Sequence, residues 1–170
     1  MRRTGTTRRG ALAATGALAA GAVLSGCGSD DDTGGGTKGS AHGASSVRVE
    51  KALRGSATRT TATLLAGYEH VLRAHPTTAT ALTPLRDAVR AHLKALSPEK
   101  TPALGMARSR ATGPSAAVKE LAAAERSAAD AYTALLMEAP GELARLLASV
   151  AAACAAHAYL LTELAKETPA

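Results

Sequence analysis

The chain has 170 residues, of which 46% are hydrophobic but only 2% aromatic, and its formal net charge is +6. Four of the 20 Lys and Arg residues lie within residues 1–26, so the rest of the chain carries 16 basic side chains against 14 acidic ones. Without Phe or Trp, and with this nearly balanced charge, it lacks the stacking side chains and the basic face typical of nucleic-acid binding. We expect one domain that binds no nucleic acid.

Residues 1–26 have the composition of an export signal. Arginine pairs at residues 2–3 and 8–9 precede an apolar run rich in Ala and Gly, which is too short to span a bilayer. The string TRRGAL at residues 7–12 resembles a twin-arginine signal, with Arg8 and Arg9 as its paired arginines. The ordinary secretory route remains the alternative.

The apolar run ends in LSGC at residues 24–27, which resembles the lipobox of bacterial lipoproteins. In that family the Cys is acylated and becomes the first residue of the mature protein. The resemblance therefore implies that Cys27 carries a lipid and that the protein is anchored to the cell membrane on its extracytoplasmic face. Cys154 is the one other cysteine, so an internal disulfide is not expected.

Residues 27–46 follow as a predicted flexible linker, because they are rich in Gly, Ser and Asp without apolar periodicity. From residue 47 the apolar residues recur at helical spacing. This spacing predicts helices over residues 47–75, 78–96, 114–138 and 141–166. Pro84 lies early in the second segment, either as a kink or as the first residue of a helix.

No segment alternates with the period of a β-strand, so we predict an all-α domain, a four-helix bundle over residues 47–166. Each predicted helix has an apolar seam that should face the core. The predicted core residues are Leu53, Leu64, Leu65, Tyr68, Val71, Leu72, Leu82, Leu85, Val89, His92, Leu96, Val118, Leu121, Glu125, Ala128, Tyr132, Leu135, Leu143, Leu147, Val150, Cys154, His157, Leu161 and Leu164.

Three ionisable residues lie on these seams: His92, Glu125 and His157. Burying each alone costs several kcal/mol unless the charge is paired or lost. In a plain up-down-up-down bundle, residue counting separates His92 from Glu125 by about 10 Å along the axis. If residues 97–113 instead cross the length of the bundle, all three lie within about 4.5 Å of one level. We therefore favour the crossover; the same counting places Thr61 nearer this level than Glu69.

Two helical hairpins joined by a long crossover, with carboxylate and imidazole groups inside, resemble the ferritin-like bundles. The strings YEH at residues 68–70, LRDAVRAH at 85–92 and AAAER at 122–126 are similar to actinobacterial ferritin-like lipoproteins of unknown function. Di-iron members carry Glu-x-x-His on two helices. Here Val89 and Cys154 occupy the positions of the two Glu residues, so the resemblance implies a bundle that has lost its di-iron ligands.

Two interpretations of the polar cluster remain open. In the first, Glu125 accepts hydrogen bonds from both imidazoles, which would raise the pKa of each His, and the protein has no cofactor. In the second, His92, Glu125 and His157 hold a single Zn²⁺ or Fe²⁺. Phosphate-binding loops and nucleophile elbows are absent from the sequence. We therefore expect a non-catalytic envelope scaffold or interaction module; the alternative is an extracytoplasmic mononuclear metal-binding or redox protein.

Overall fold

The computed structural model describes residues 39–97, 103–105 and 111–169, with side chains from residue 45 onward. The predicted signal residues Arg8 and Arg9 and the predicted lipidation site Cys27 lie outside the described residues. They stay predictions from the sequence.

Within these ranges the chain is all-helical and has no strand, which confirms the predicted class. The four helices are α1 (Gly39–Ala74), α2 (Ala79–Leu96), α3 (Pro114–Leu136) and α4 (Gly141–Glu167). A single 3-10 turn, Pro76–Thr78, separates α1 from α2. The helix bounds match the predicted ones closely except at the start of α1, which begins at Gly39 and not at residue 47. No proline interrupts this stretch, and the apolar period starts only where burial starts, at Leu53.

Two prolines occupy different positions in the helices: Pro114 begins α3, whereas Pro84 lies within α2. Pro114 is the first residue of α3, where its missing N–H is not needed for the helix and its fixed φ suits the helical backbone. Pro84 is the sixth residue of α2 and therefore lies inside the helix, so it is not the N1 residue. Proline at that position removes one backbone donor from the early turns of α2.

The first helix runs antiparallel to both α2 and α3. The three-residue 3-10 turn reverses the chain, so that α2 packs back along α1, where Glu69 accepts from Arg86 and Arg90 at 3.2 and 2.6 Å. Against α3, the hydroxyl oxygens of Thr61 and Tyr132 are 2.7 Å apart, while Tyr68 contacts Glu125 seven residues earlier on α3. From Thr61 to Tyr68 the chain advances along α1, while their partners go back along α3 from Tyr132 to Glu125, so α1 and α3 run in opposite directions.

The last two helices are also antiparallel and form the most extensive helix pair. Near one end, the Ser115 hydroxyl donates to the Ala165 carbonyl at 2.7 Å; further along, Glu125 contacts His157. By contrast, α2 approaches α4 loosely and makes its close contacts with α1. The seam between α2 and α4 is therefore one of the less tightly packed parts of the described bundle.

The core follows the predicted seams. Of the predicted core residues, those that are only half-buried are Leu72, Leu85, His92, Leu135 and Leu164. Leu93, which was not predicted, is buried next to His92, so α2 is rotated slightly from the predicted orientation and carries His92 toward the edge of the core.

The fourth helix is unusually apolar. By length and composition alone, α4 is the one described helix that could cross a membrane, with a mean hydropathy of 1.5 over 18 residues. A core helix of a bundle has the same composition, and the Leu143, Leu147 and Leu161 side chains of α4 are fully buried here. Only a third of that apolar window is buried, however, so much of it faces outward.

Candidate functional site

Glu125 lies at the centre of a buried polar cluster and is completely inaccessible to solvent. Its Oε1 accepts a hydrogen bond from the Tyr68 hydroxyl at 2.7 Å and lies 3.0 Å from Nδ1 of His157. An ionised carboxylate only accepts hydrogen bonds, so with Glu125 ionised the proton of this contact belongs to Nδ1 of His157, which donates it. Helices α1, α3 and α4 thus each supply one side chain to a single point in the core.

Local sequence explains how α1 reaches α3 at this level. Gly67 precedes Tyr68, and a Cβ at Gly67 would lie 3.4 Å from Cδ2 of Leu121 on α3. The glycine therefore permits a close approach of the two helices without displacing Leu121. Tyr68 itself is fully buried, as the sequence predicted, and its phenol provides the buried carboxylate with a donor.

His92 joins the cluster by stacking and does not bond to the carboxylate. Its ring lies 6.3 Å from the His157 ring between centroids, with an interplanar angle of 21°. Nδ1 of His92 and Oε2 of Glu125 are both buried and have no hydrogen-bond partner within the described ranges. The expectation that Glu125 accepts from both imidazoles is therefore met by His157 only, and Tyr68 takes the place assigned to His92.

Burial and neighbouring charge set the protonation states of the cluster. Burial raises the pKa of the Tyr68 hydroxyl, and the charge of Glu125 raises it further, so the phenol keeps the proton that it donates. Burial lowers the pKa of His92, and the neighbouring His157 lowers it further. These two effects outweigh that of Glu125, which raises it. The predicted increase in the pKa of the His residues is wrong for His92, because burial, and to a lesser extent the neighbouring His157 imidazole, penalises its charged form.

Cys154 faces the same cluster from α4 and is buried. Burial raises the pKa of its thiol, and the charge of Glu125 raises it further. Because the thiolate is the nucleophilic and metal-binding form of cysteine, this residue is held in its unreactive state. It acts here as a small apolar core residue.

Tyr132 forms a second buried polar contact on the same side of α3, with Thr61. The Thr61 hydroxyl also donates to the Ala57 carbonyl of its own helix at 2.8 Å. Residue counting placed Thr61 near the level of Glu125, but the α1 residue that reaches Glu125 is Tyr68. A long side chain tilts toward the N-terminus of its own helix, so counting Cα positions misjudges which tip meets which.

On the opposite side of α1, Glu69 bridges two arginines of α2 at the half-exposed edge of the bundle. Residue counting placed Glu69 farther than Thr61 from the level of the cluster, and it did not identify Arg86 and Arg90 as partners of Glu69. Exposed ion pairs of this kind contribute about 0–1 kcal/mol each, so the network fixes helix register more than it stabilises the fold.

The cluster fits a metal only in part. Among the described side chains, no three from His, Cys, Asp and Glu are arranged to hold a metal ion, so His92, Glu125 and His157 do not form a ready three-ligand site. A carboxylate bonded to Nδ1 does, however, orient the other imidazole nitrogen as histidine ligands are oriented in metal proteins. His157 is the one member of the cluster with this arrangement.

Comparison of the chain with protein-family models, curated proteins and solved structures gives no match. Its function is therefore argued from the chain's own residues.

Proposed function

We propose that the chain is an exported lipoprotein whose helical bundle acts as a non-catalytic scaffold or interaction module at the outer face of the cell membrane. The LSGC string at residues 24–27, after a short apolar run with arginine pairs before it, supports lipidation of Cys27 and export, with Arg8 and Arg9 as the twin-arginine signal. The small, compact helical domain is consistent with a folded module held by a lipid.

We further propose a ferritin-like topology for the bundle. Since α2 and α3 each run antiparallel to α1, they share one direction, which requires the connection between them to return along the bundle. Helix rise puts the distance to be covered at about 28 Å. Seventeen residues can extend to about 56 Å, so the connection is long enough. The packing directions support this proposal without a resemblance to any solved structure.

The non-catalytic role is supported mainly by the inaccessibility of the polar cluster to solvent. Glu125 and Tyr68 are inaccessible, Cys154 is protonated and buried, and the hydrogen bonds of the carboxylate connect helices of the bundle itself. Groups in this arrangement hold three helices in one register. A buried, polar interhelical contact of this kind favours one packing over its alternatives.

Membrane fractionation of Cys27→Ala and Cys154→Ala proteins tests the proposal. Cys27→Ala should move the protein from the membrane to the soluble fraction, or leave it as an unprocessed precursor that has kept its signal. Cys154→Ala is the matched control, because it removes the other cysteine and leaves the lipid attached. A Cys27→Ala protein that fractionates and migrates as the native one does would overturn the lipid anchor.

A second candidate function, binding of a single transition-metal ion, is favoured by one observation. Oε2 of Glu125 and Nδ1 of His92 are buried polar atoms without a partner among the described residues, and such atoms are rare in native cores. Elemental analysis of the purified native protein distinguishes the two candidates. One Zn or Fe per chain that disappears in His157→Ala would favour the metal; a metal-free protein with unchanged folding favours the scaffold.

A further inference from the structure

The outer side of α4 is an apolar face that stays exposed in the bundle. Between Arg145 and Glu163 the helix has no Lys, Arg, Asp or Glu, and its one ionisable imidazole, His157, points inward to Glu125. Tyr159 and Leu160 are 65% and 51% exposed. The exposed residues of this face are Ala148, Ser149, Ala152, Ala155, Ala156, Tyr159 and Leu160. Contiguous exposed apolar surface of this kind marks interaction sites.

Charged residues close this face at both ends in a self-complementary order. Along it, exposed or half-exposed residues recur at alternating steps of three and four, which keeps them on one side of the helix. Glu142 and Arg145, which form an ion pair with each other, stand at the N-terminal end, and Glu163 and Lys166, which form another, stand at the C-terminal end. If a second α4 is laid antiparallel with its centre at residue 154, Arg145 faces Glu163 and Glu142 faces Lys166. Both pairs are of opposite charge.

We propose that this face, from Glu142 to Lys166, binds the same face of a second copy of the chain in an antiparallel, two-fold symmetric dimer. In that register Ala152 of each copy lies opposite Ala156 of the other, and the absence of large side chains lets the helices approach closely. A two-fold interface needs a surface that complements itself, and the order of charges on α4 meets this condition. The proposal names a partner for the interaction module proposed above and rests on that role, but it does not depend on the lipid.

The size of the face sets the strength of the expected dimer. From Glu142 to Lys166 the 25 residues span about 36 Å. With a contact width near 10 Å, the face buries roughly 360 Å² per copy, less than half of the ~800 Å² per partner of stable complexes. The dimer is therefore weak in dilute solution. Its flanking ion pairs are solvent-exposed, so salt weakens it further.

The decisive experiment is a charge-swap cycle measured by sedimentation equilibrium at low ionic strength. The protein is the full-length chain carrying Cys27→Ser, so that no lipid contributes to association. Arg145→Glu and Glu163→Arg should each weaken dimerisation by about tenfold, because each converts two attractive pairs per dimer into repulsive ones. The double variant Arg145→Glu/Glu163→Arg should restore the native dissociation constant.

Restoration of dimerisation in the double variant cannot arise within one chain, since residues 145 and 163 are about 27 Å apart along the helix.

Two further variants complete the design. Ala156→Glu places a charge at the centre of the face and should abolish the dimer while the helical circular dichroism is kept. Lys51→Glu makes an equal charge change on the exposed side of α1 and should leave the dissociation constant unchanged.

Several results would overturn the proposal. One is a native chain that stays monomeric at the highest concentration reached, and another is a double variant that dimerises no better than the single ones. A third is a monomeric chain that binds phosphatidylglycerol vesicles and loses this binding in Ala156→Glu, which would make a membrane the partner of the face. Soluble fractionation of Cys27→Ala reports on the anchor alone, so the two proposals fail independently.

Discussion

Removing the Tyr68 hydroxyl is the sharpest test of the buried cluster. In Tyr68→Phe the ring still fills its fully buried site, so the substitution creates no large cavity. What is lost is a 2.7 Å hydrogen bond to a carboxylate whose other oxygen has no partner among the described residues. Hydrogen bonds to charged groups contribute about 1.5–3 kcal/mol, and we expect a loss in the upper half of this range.

Tyr132→Phe is the matched control, because it removes an equally buried phenol hydroxyl of the same core. Its partner Thr61 is uncharged and keeps its second hydrogen bond, to the Ala57 carbonyl. A bond between neutral groups contributes about 0.5–1.5 kcal/mol, so the control should cost about 1 kcal/mol. The contrast between the two variants isolates the effect of the charged acceptor.

Urea denaturation followed by circular dichroism at neutral pH measures both variants. We expect Tyr68→Phe to be less stable than Tyr132→Phe by about 1–2 kcal/mol, with unchanged denaturant dependence. Equal losses in the two variants would show that Glu125 is not an ionised acceptor in the core. That result would refute the description of the cluster as a hydrogen-bonded carboxylate.

Three other predictions concern single residues. His92 has a lowered pKa in the folded chain, so the unfolded chain binds more protons below about pH 6.5, and the free energy of unfolding decreases as the pH drops through that value. Urea denaturation at pH 7 and pH 5 should therefore show a smaller decrease in His92→Gln than in the native chain. An equal decrease in both would contradict the burial of a neutral His92. Cys154 should resist iodoacetamide at pH 8 until the protein is unfolded, as mass spectrometry of labelled peptides would show; rapid labelling of the folded protein would mean that the cluster opens. Gly55→Ala should stabilise the fold by about 0.5–1 kcal/mol, because glycine disfavours helix interiors and a Cβ there meets only the flexible Arg59 guanidinium at 3.6 Å; destabilisation in the same urea assay would mean that α1 is not a regular helix at this point.

Sequence reasoning identified the helices and their buried faces because the apolar residues repeat with the helical period and prolines mark the boundaries. Pro76 ends α1, and Pro114 begins α3, as predicted. The start of α1 was misplaced because residues 39–46 are mostly small or polar, a composition found in linkers as well as in helices. Helical periodicity is informative only where one side of a helix is buried.

The candidate site was predicted less completely than the core. Counting residues brought Glu125 and His157 together, since a short turn joins α3 to α4 and fixes their register. It could not decide which of the two core tyrosine hydroxyls, Tyr68 or Tyr132, bonds to Glu125, because the direction of a long side chain decides which atoms meet. The lowered pKa of His92 depends on how deeply α2 buries this side chain and on its approach to His157 of α4, neither of which a sequence pattern encodes.

The self-complementary face of α4 had a signal in the sequence that was not recognised. Residues 146–162 contain no Lys, Arg, Asp or Glu and begin and end next to charged residues. Such a stretch is as typical of a buried core helix as of an interaction face. Only the packing of α4 on α3 shows which side of α4 remains exposed. Tertiary packing therefore supplies the information that composition lacks.

Intact-mass spectrometry of the protein purified from its native membranes tests the central claim most directly. The account predicts a chain that begins at Cys27 and carries a lipid on that residue. A mass that corresponds to an unmodified chain, or to one that still begins at Met1, would contradict it.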